Sequence, residues 1–189
     1  MKREVTDKTI LDEFVEDFCK VVNKHVLYII CSGFVAIAHG RSRGTEDIDM
    51  IIEKINFERF KRLHKDLVEN GFECLQSESS NNIYYDYLVN GDSVRYTKKG
   101  DFLPEMEVKF VKDELDEEQL KTRVKLPLTQ LDVYFSSIEG NIAFKEELLK
   151  ADKDMEDARH LRIIYRGQID ENKINKIKEK IRRLRLNER

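Results

Sequence analysis

Asp47-Ile48-Asp49 opens a run, Asp47 to Glu53, in which acidic and apolar residues first alternate and apolar residues then take over. Strict alternation is the period of a β-strand, so both carboxylates leave one face while Ile48 and Met50 leave the other. Two like charges held that close cost free energy unless a cation lies between them. A hard divalent ion with oxygen ligands, Mg²⁺ or in its place Mn²⁺, suits such a pair. Upstream, Val26-Leu27-Tyr28-Ile29-Ile30-Cys31 is short, apolar and β-rich, which predicts a buried strand. Ser32-Gly33 ends it and residues 34–39 start a short helix. Free backbone N–H groups at that junction attract phosphate, and Gly33 lets phosphate approach the backbone closely. Residues 40–45 are a loop by composition, and they carry Arg41 and Arg43 within chain reach of the same face. Arg41, with its fork of donors, matches phosphate oxygens. A phosphate cradle beside a metal-binding carboxylate pair is what phosphoryl or nucleotidyl transfer needs.

Around this stretch the apolar spacing predicts an amphipathic helix over 7–24, a second over 57–70 stopped by Gly71, and a strand over 72–76. Residues 77–82 are loop-like, and residues 83–89 fit helix or strand. Residues 93–96 and 106–111 predict paired strands. From Asp113 onward the pattern is helical only, over 115–124, 128–149, 155–165 and 170–186. Mixed elements followed by pure helix predict an α+β chain: a small mixed sheet flanked by helices, residues 1–125, with a helical C-terminal region, 126–189, packed on it.

The stretch from Tyr28 to Glu53 resembles the signature of the DNA polymerase β-type nucleotidyltransferase superfamily: Ser32-Gly33, a short helix, Gly40-Arg41, Thr45, then Asp47-Ile48-Asp49. Within it, the stretch is most similar to the minimal nucleotidyltransferases and the AbiEii-like toxin enzymes. The resemblance implies a two-metal site on Asp47 and Asp49 and transfer of a nucleoside monophosphate from an NTP such as ATP. Ser32, Gly33, Arg41, Arg43 and Thr45 would bind the nucleotide. It also implies a third carboxylate on a neighbouring strand, as metal ligand and general base. Glu107, between Met106 and Val108, matches best, with Glu105 as the alternative. Lys145, followed by Lys153-Asp154 and Asp157, looks like the Lys…Lys/Arg-Asp-x-x-Asp pattern of the AbiEii-like helical half. It implies a catalytic Lys145 oriented by Asp154 or Asp157.

Composition sets the bounds. The 34 Lys+Arg and 37 Asp+Glu leave a net charge of −3, which excludes a strongly basic nucleic-acid coat. Cys19, Cys31 and Cys74 are odd in number and form no CxxC pair, so neither a disulfide framework nor a Cys-based zinc site is expected. Cys19 and Cys31 sit among apolar residues and read as small buried hydrophobes. The N-terminal residues are charged where a signal peptide is apolar, and no apolar run approaches the roughly 20 residues that span a bilayer. The expectation is a soluble cytoplasmic protein without membrane partners. Residues 170–189 carry eight Lys/Arg against four Asp/Glu. They read as a solvated helix or as a surface for RNA, a choice that would fit a toxin acting on RNA. An antitoxin or a second copy of the chain is a further expected partner. The acceptor, whether RNA, protein or small molecule, is left open. The alternative to an active enzyme is a nucleotide-binding regulatory protein that keeps the fold and has lost the chemistry.

Overall fold

The computed structural model describes residues 8–45 and 47–186. Five strands form one sheet in the order β1-β2-β5-β4-β3: β1 (Tyr28–Cys31), β2 (Asp47–Ile52), β3 (Phe72–Cys74), β4 (Val94–Lys98) and β5 (Glu105–Phe110). β2 and β5 run parallel, and the other neighbours are antiparallel. β5 reaches the flank of β2 because β3 and β4 form a meander that folds back beside it. The mixed sheet is the one the alternation predicts, and 93–96 and 106–111 pair as expected.

The even-numbered residues of β1, β2 and β5 face the main core. Ile30, Ile48, Met50, Ile52 and Met106 are fully buried there against helices α1 (Ile10–Val22) and α3 (Phe57–Glu69). Phe14 and Phe18 of α1 meet Phe72 edge-on, with centroids 5.9 and 5.0 Å away. α1 begins at a capping box, Thr9 with Asp12, and α3 at Asn56, whose side chain accepts from the Arg59 N–H. Asp7, the first residue of the expected 7–24 helix, lies outside the described residues.

The odd-numbered face carries the charged residues, and α5 (Glu114–Lys121) covers it on its β1 and β2 side. There Ile29 and Ile51 pack with Leu120 of α5. Behind α5 stand α6 (Ile138–Phe144, continued by a wide turn Lys145–Leu149), α7 (Asp152–Ile164) and α8 (Glu171–Ile181). α2 (Gly33–Ala38) packs against α7, so the helical half grips the β1-α2-β2 unit directly. Within the ambiguous segment, residues 80–90 are helical and are labelled α4, and residues 77–79 are loop.

One expectation fails. Residues 128–149 are not a continuous helix: a short turn, Pro127–Thr129, is followed by extended chain, and helix starts only at Ile138. Phe135 bridges both Ile30 and Val124. Ile30 N–H donates to the Tyr134 carbonyl at 2.8 Å, and Ser136 N–H donates to the Ile30 carbonyl at 3.0 Å. Leu131, Val133 and Phe135 are buried while Asp132 is exposed, a strand-like alternation inside a stretch that apolar content alone assigns to helix.

Candidate active site

The β2–β5 register sets Asp47 opposite Glu105 and Asp49 opposite Glu107, so four carboxylates share one face of two adjacent strands. Arg95 of β4, opposite Glu107, lies along the same row. Its guanidinium is 3.4 Å from the Glu105 carboxylate and 3.5 Å from that of Glu107. Lys109 follows on β5 two residues after Glu107 and points the same way. Neither Arg95 nor Lys109 belongs to the sequence-derived set. The alternation Glu105, Glu107, Lys109 in the sequence is the signal that would have found the lysine.

Asp49 is half-buried, while Asp47 beside it is exposed. Burial pushes its carboxyl above the usual carboxylate range, the Lys109 ammonium pulls it back, and Glu107 and Asp47 push it up again. The Ser32 hydroxyl donates a hydrogen bond to it, which favours the ionised form. Oxygen donors in mutual repulsion on one face are a set that a hard divalent cation suits. Among the described residues, however, no three His, Cys, Asp or Glu side chains converge on one point as they stand. Glu107 is turned toward Arg95, which supplies positive charge where a cation would otherwise do so.

Ser32 joins β1 to α2 with φ 64° and ψ −134°, a left-handed conformation normally left to glycine. The turn is so abrupt because Cys31 must stay in the sheet opposite Asp49 while Gly33 already starts the helix. The Ser32 side chain does not cap α2. At Gly33 a β-carbon would come within 3.1 Å of the Arg43 guanidinium, so the missing side chain lets that cation lie close on the backbone. Thr45 faces away from this point, its hydroxyl donating to the Asp47 carbonyl at 2.8 Å.

Arg41 and Arg43 converge on Asp157 of α7, one on each carboxylate oxygen. Lys145 joins them, 2.8 Å from Asp157 Oδ2 and 3.3 Å from Asp154 Oδ1. Lys145 is 1% exposed and Asp157 is fully buried. Arg41 also pairs with Glu156. The result is a buried ionic hub tying the loop 40–45 to the helical half. The two arginines meet protein carboxylates here.

Between hub and sheet lies a cavity of about 160 Å³, lined by Ser32, Asp49, Lys109 and Lys145, with Ile51 and Phe144 as apolar walls. Of the residues expected from the sequence, Ser32, Asp49 and Lys145 line this space, while Gly33, Arg41, Arg43, Thr45, Asp47, Glu107, Asp154 and Asp157 do not. The basic C-terminal helix is organised differently. Lys173, Lys178, Lys180, Arg182, Arg183 and Arg185 each reach an acidic residue of α5, α6 or their flanks. His39 caps α2, with one ring nitrogen on the Val35 carbonyl at 2.6 Å and the other on the Tyr165 hydroxyl at 2.8 Å. The thiols of Cys19, Cys31 and Cys74 are all pushed up by burial, as small hydrophobes in a core should be. No described helix is long and apolar enough to cross a membrane.

No protein-family model and no curated protein matches the chain. Solved structures do. The solution structure of the antibiotic-resistance factor ANT(2″)-Ia is similar with a TM-score of 0.55 at 14% identity, covering 92% of this chain and 91% of that one. The crystal structure of ANT(2″)-Ia in complex with adenylyl-2″-tobramycin is similar with a TM-score of 0.55 at 17% identity, covering 93% and 98%. Strand order, the acid-bearing β2–β5 pair and these likenesses agree: the chain has the nucleotidyltransferase fold.

Proposed function

We propose that the protein transfers a nucleoside monophosphate from an NTP to an acceptor hydroxyl. The observation that carries this reading is the in-register row of Asp47, Asp49, Glu105 and Glu107, set beside the strained Ser32-Gly33 turn with Arg43 laid over it. In the reaction the acceptor oxygen attacks the α-phosphorus, the bond from that phosphorus to the α–β bridging oxygen breaks, and pyrophosphate leaves. Glu107 takes the proton from the acceptor hydroxyl. Asp47, Asp49 and Glu107 would hold Mg²⁺ or Mn²⁺, which when bound neutralises phosphate oxygens and polarises the reacting centre. The backbone at Gly33, the Ser32 hydroxyl and Arg43 hold the β and γ phosphates. Lys145 stabilises charge on the transferred group from the cavity wall, held there by Asp154 and Asp157. The fold likeness to a protein solved with an adenylylated antibiotic supports the reaction class.

The contact of Arg95 with Glu105 and Glu107 favours a second reading, a nucleotide-binding protein without turnover, in which that arginine replaces the ion. Pyrophosphate release separates the two. Purified protein is given ATP, GTP, CTP or UTP with Mg²⁺ and a cell extract as acceptor source. The first reading predicts release that Asp47→Asn and Glu107→Gln abolish. NTP binding with no release by the wild type supports the second.

A further inference from the structure

The cavity beside Asp49 has a polar corner that the proposed chemistry does not use. Gln119 of α5 lines it and is 8% exposed. Its carboxamide faces the cavity and makes no hydrogen bond to any described residue. Asn141 of α6, 3% exposed, lines the same corner. Its Nδ2 is consumed by Ser136 and by the Ser137 carbonyl, at 2.8 to 3.1 Å, which leaves its Oδ1 without a partner among the described residues. Opposite them stand Ile51, Phe144 and Leu148. Gly140, inside α6, makes the room: a β-carbon there would come within 3.3 Å of Gln119 Oε1 and 3.2 Å of the Ser137 hydroxyl. A glycine inside a helix is unfavourable by itself, so the space it opens for the carboxamide is the feature gained.

A buried amide with free donors and a free acceptor, facing apolar walls, suits a planar ligand with a hydrogen-bonding edge. The volume of about 160 Å³ is close to that of an engineered apolar cavity that admits benzene, and it falls below the range that holds a whole drug-sized ligand. One ring system fits, and a triphosphate does not. The cavity shares Ser32, Asp49 and Lys145 with the proposed phosphate and metal site, so a base seated there stays continuous with its own phosphates.

We propose that this cavity is the nucleobase pocket and that the Gln119 carboxamide, backed by Asn141 Oδ1, reads the hydrogen-bonding edge of the base. The assignment rests on the nucleotidyl-transfer reading for the direction in which the phosphates lie. A paired amide and base edge discriminates against the wrong base by about 5-fold or more.

The test uses the full chain and nucleosides without phosphate. Adenosine, guanosine, cytidine and uridine are titrated into the wild type and into Gln119→Met, a volume-conserving change, with binding followed by NMR. Tripolyphosphate with Mg²⁺ is titrated in parallel. The expected result is a preference of about 5-fold or more for one nucleoside in the wild type, falling to near equality in Gln119→Met. Tripolyphosphate affinity stays the same. Gln119→Glu, which removes the donors and keeps the shape, reorders the preference and provides the same readout if Gln119→Met fails to fold. The proposal is overturned if the wild type binds no nucleoside, or if the preference is unchanged in the variants, even when tripolyphosphate binds. Selective nucleoside binding without tripolyphosphate binding keeps the pocket and removes the transfer reading instead.

Discussion

Lys145 and Asp157 meet 2.8 Å apart with neither side chain open to solvent, and Asp157 also receives both arginines of the loop 40–45. A buried ion pair contributes little net stability when intact, but removing one partner strands the other charge. Asp157→Ala leaves three cations facing Asp154 and Glu156 alone. The expected loss is about 3–5 kcal/mol, read as a lower urea midpoint. Lys145→Met removes the cation and leaves Asp157 with its arginines, so its stability cost is smaller. In that variant turnover should fall by about 10²–10³-fold with nucleotide affinity kept, as for a lost transition-state donor. Equal turnover in wild type and Lys145→Met would make the lysine a structural residue only.

Ser32 combines a strained backbone with a hydroxyl bonded to Asp49. Ser32→Gly relieves strain of order 1–3 kcal/mol and returns part of it through a freer unfolded chain, so a net gain of about 1 kcal/mol is expected. Ser32→Ala keeps the strain and loses the hydroxyl. Thermal melts should therefore rank Gly above Ser above Ala. A Ser32→Gly protein less stable than wild type would mean that the hydroxyl bond outweighs the strain.

Arg95 pairs with Glu105 and Glu107, so under the proposed reading it competes with a cation for them. Arg95→Met should tighten Mn²⁺ binding, followed by calorimetry without nucleotide. Because the arginine is 45% exposed, melting should shift by less than about 1 kcal/mol equivalent. Weaker Mn²⁺ binding in the variant would place Arg95 among the groups that assist the ion.

Glu146 of the wide turn after α6 links α7 and α8. Arg162 lies 2.7 Å and Lys178 2.6 Å from its carboxylate. Burial pushes its carboxyl up, but these two cations outweigh burial and hold it below its ordinary value of 4.5. A carboxyl lowered by folding contributes stability that is complete above 4.5 and disappears as pH falls through the folded value. Glu146→Gln should thus melt lower than the wild type at neutral pH, and the two curves should converge in acid. A constant gap at all pH values would remove Glu146 from the acid sensitivity of the helical half.

Much of the site was legible because it is local. Asp47-Ile48-Asp49 declares its geometry through the period of a strand, and Ser32-Gly33 stands where a buried strand must turn into a helix. Glu107 as a carboxylate beside Asp49 needed the resemblance, since nothing in residues 106–111 states that β5 lies beside β2; that pairing is set by the intervening meander. The ionic hub was half legible. The spacing of Asp154 and Asp157 puts them on one helix face, but the capture of Arg41 and Arg43 by Asp157 depends on how α7 lies against α2. Gln119 was invisible, because an amide in an amphipathic helix looks solvated until α6 and Gly140 close over it. The stretch 131–136 misled because its alternation is short and its neighbours are helical.

The fate of the phosphates tests the central claim most directly. ATP, or whichever NTP binds, is supplied labelled either at the α or at the γ phosphorus, with Mg²⁺ and cell extract, to the wild type and to Asp49→Asn. Nucleotidyl transfer predicts that the α label appears on an acceptor, that the γ label leaves as pyrophosphate, and that Asp49→Asn does neither. A γ label found on the acceptor, or α-label transfer undiminished in Asp49→Asn, would contradict the account.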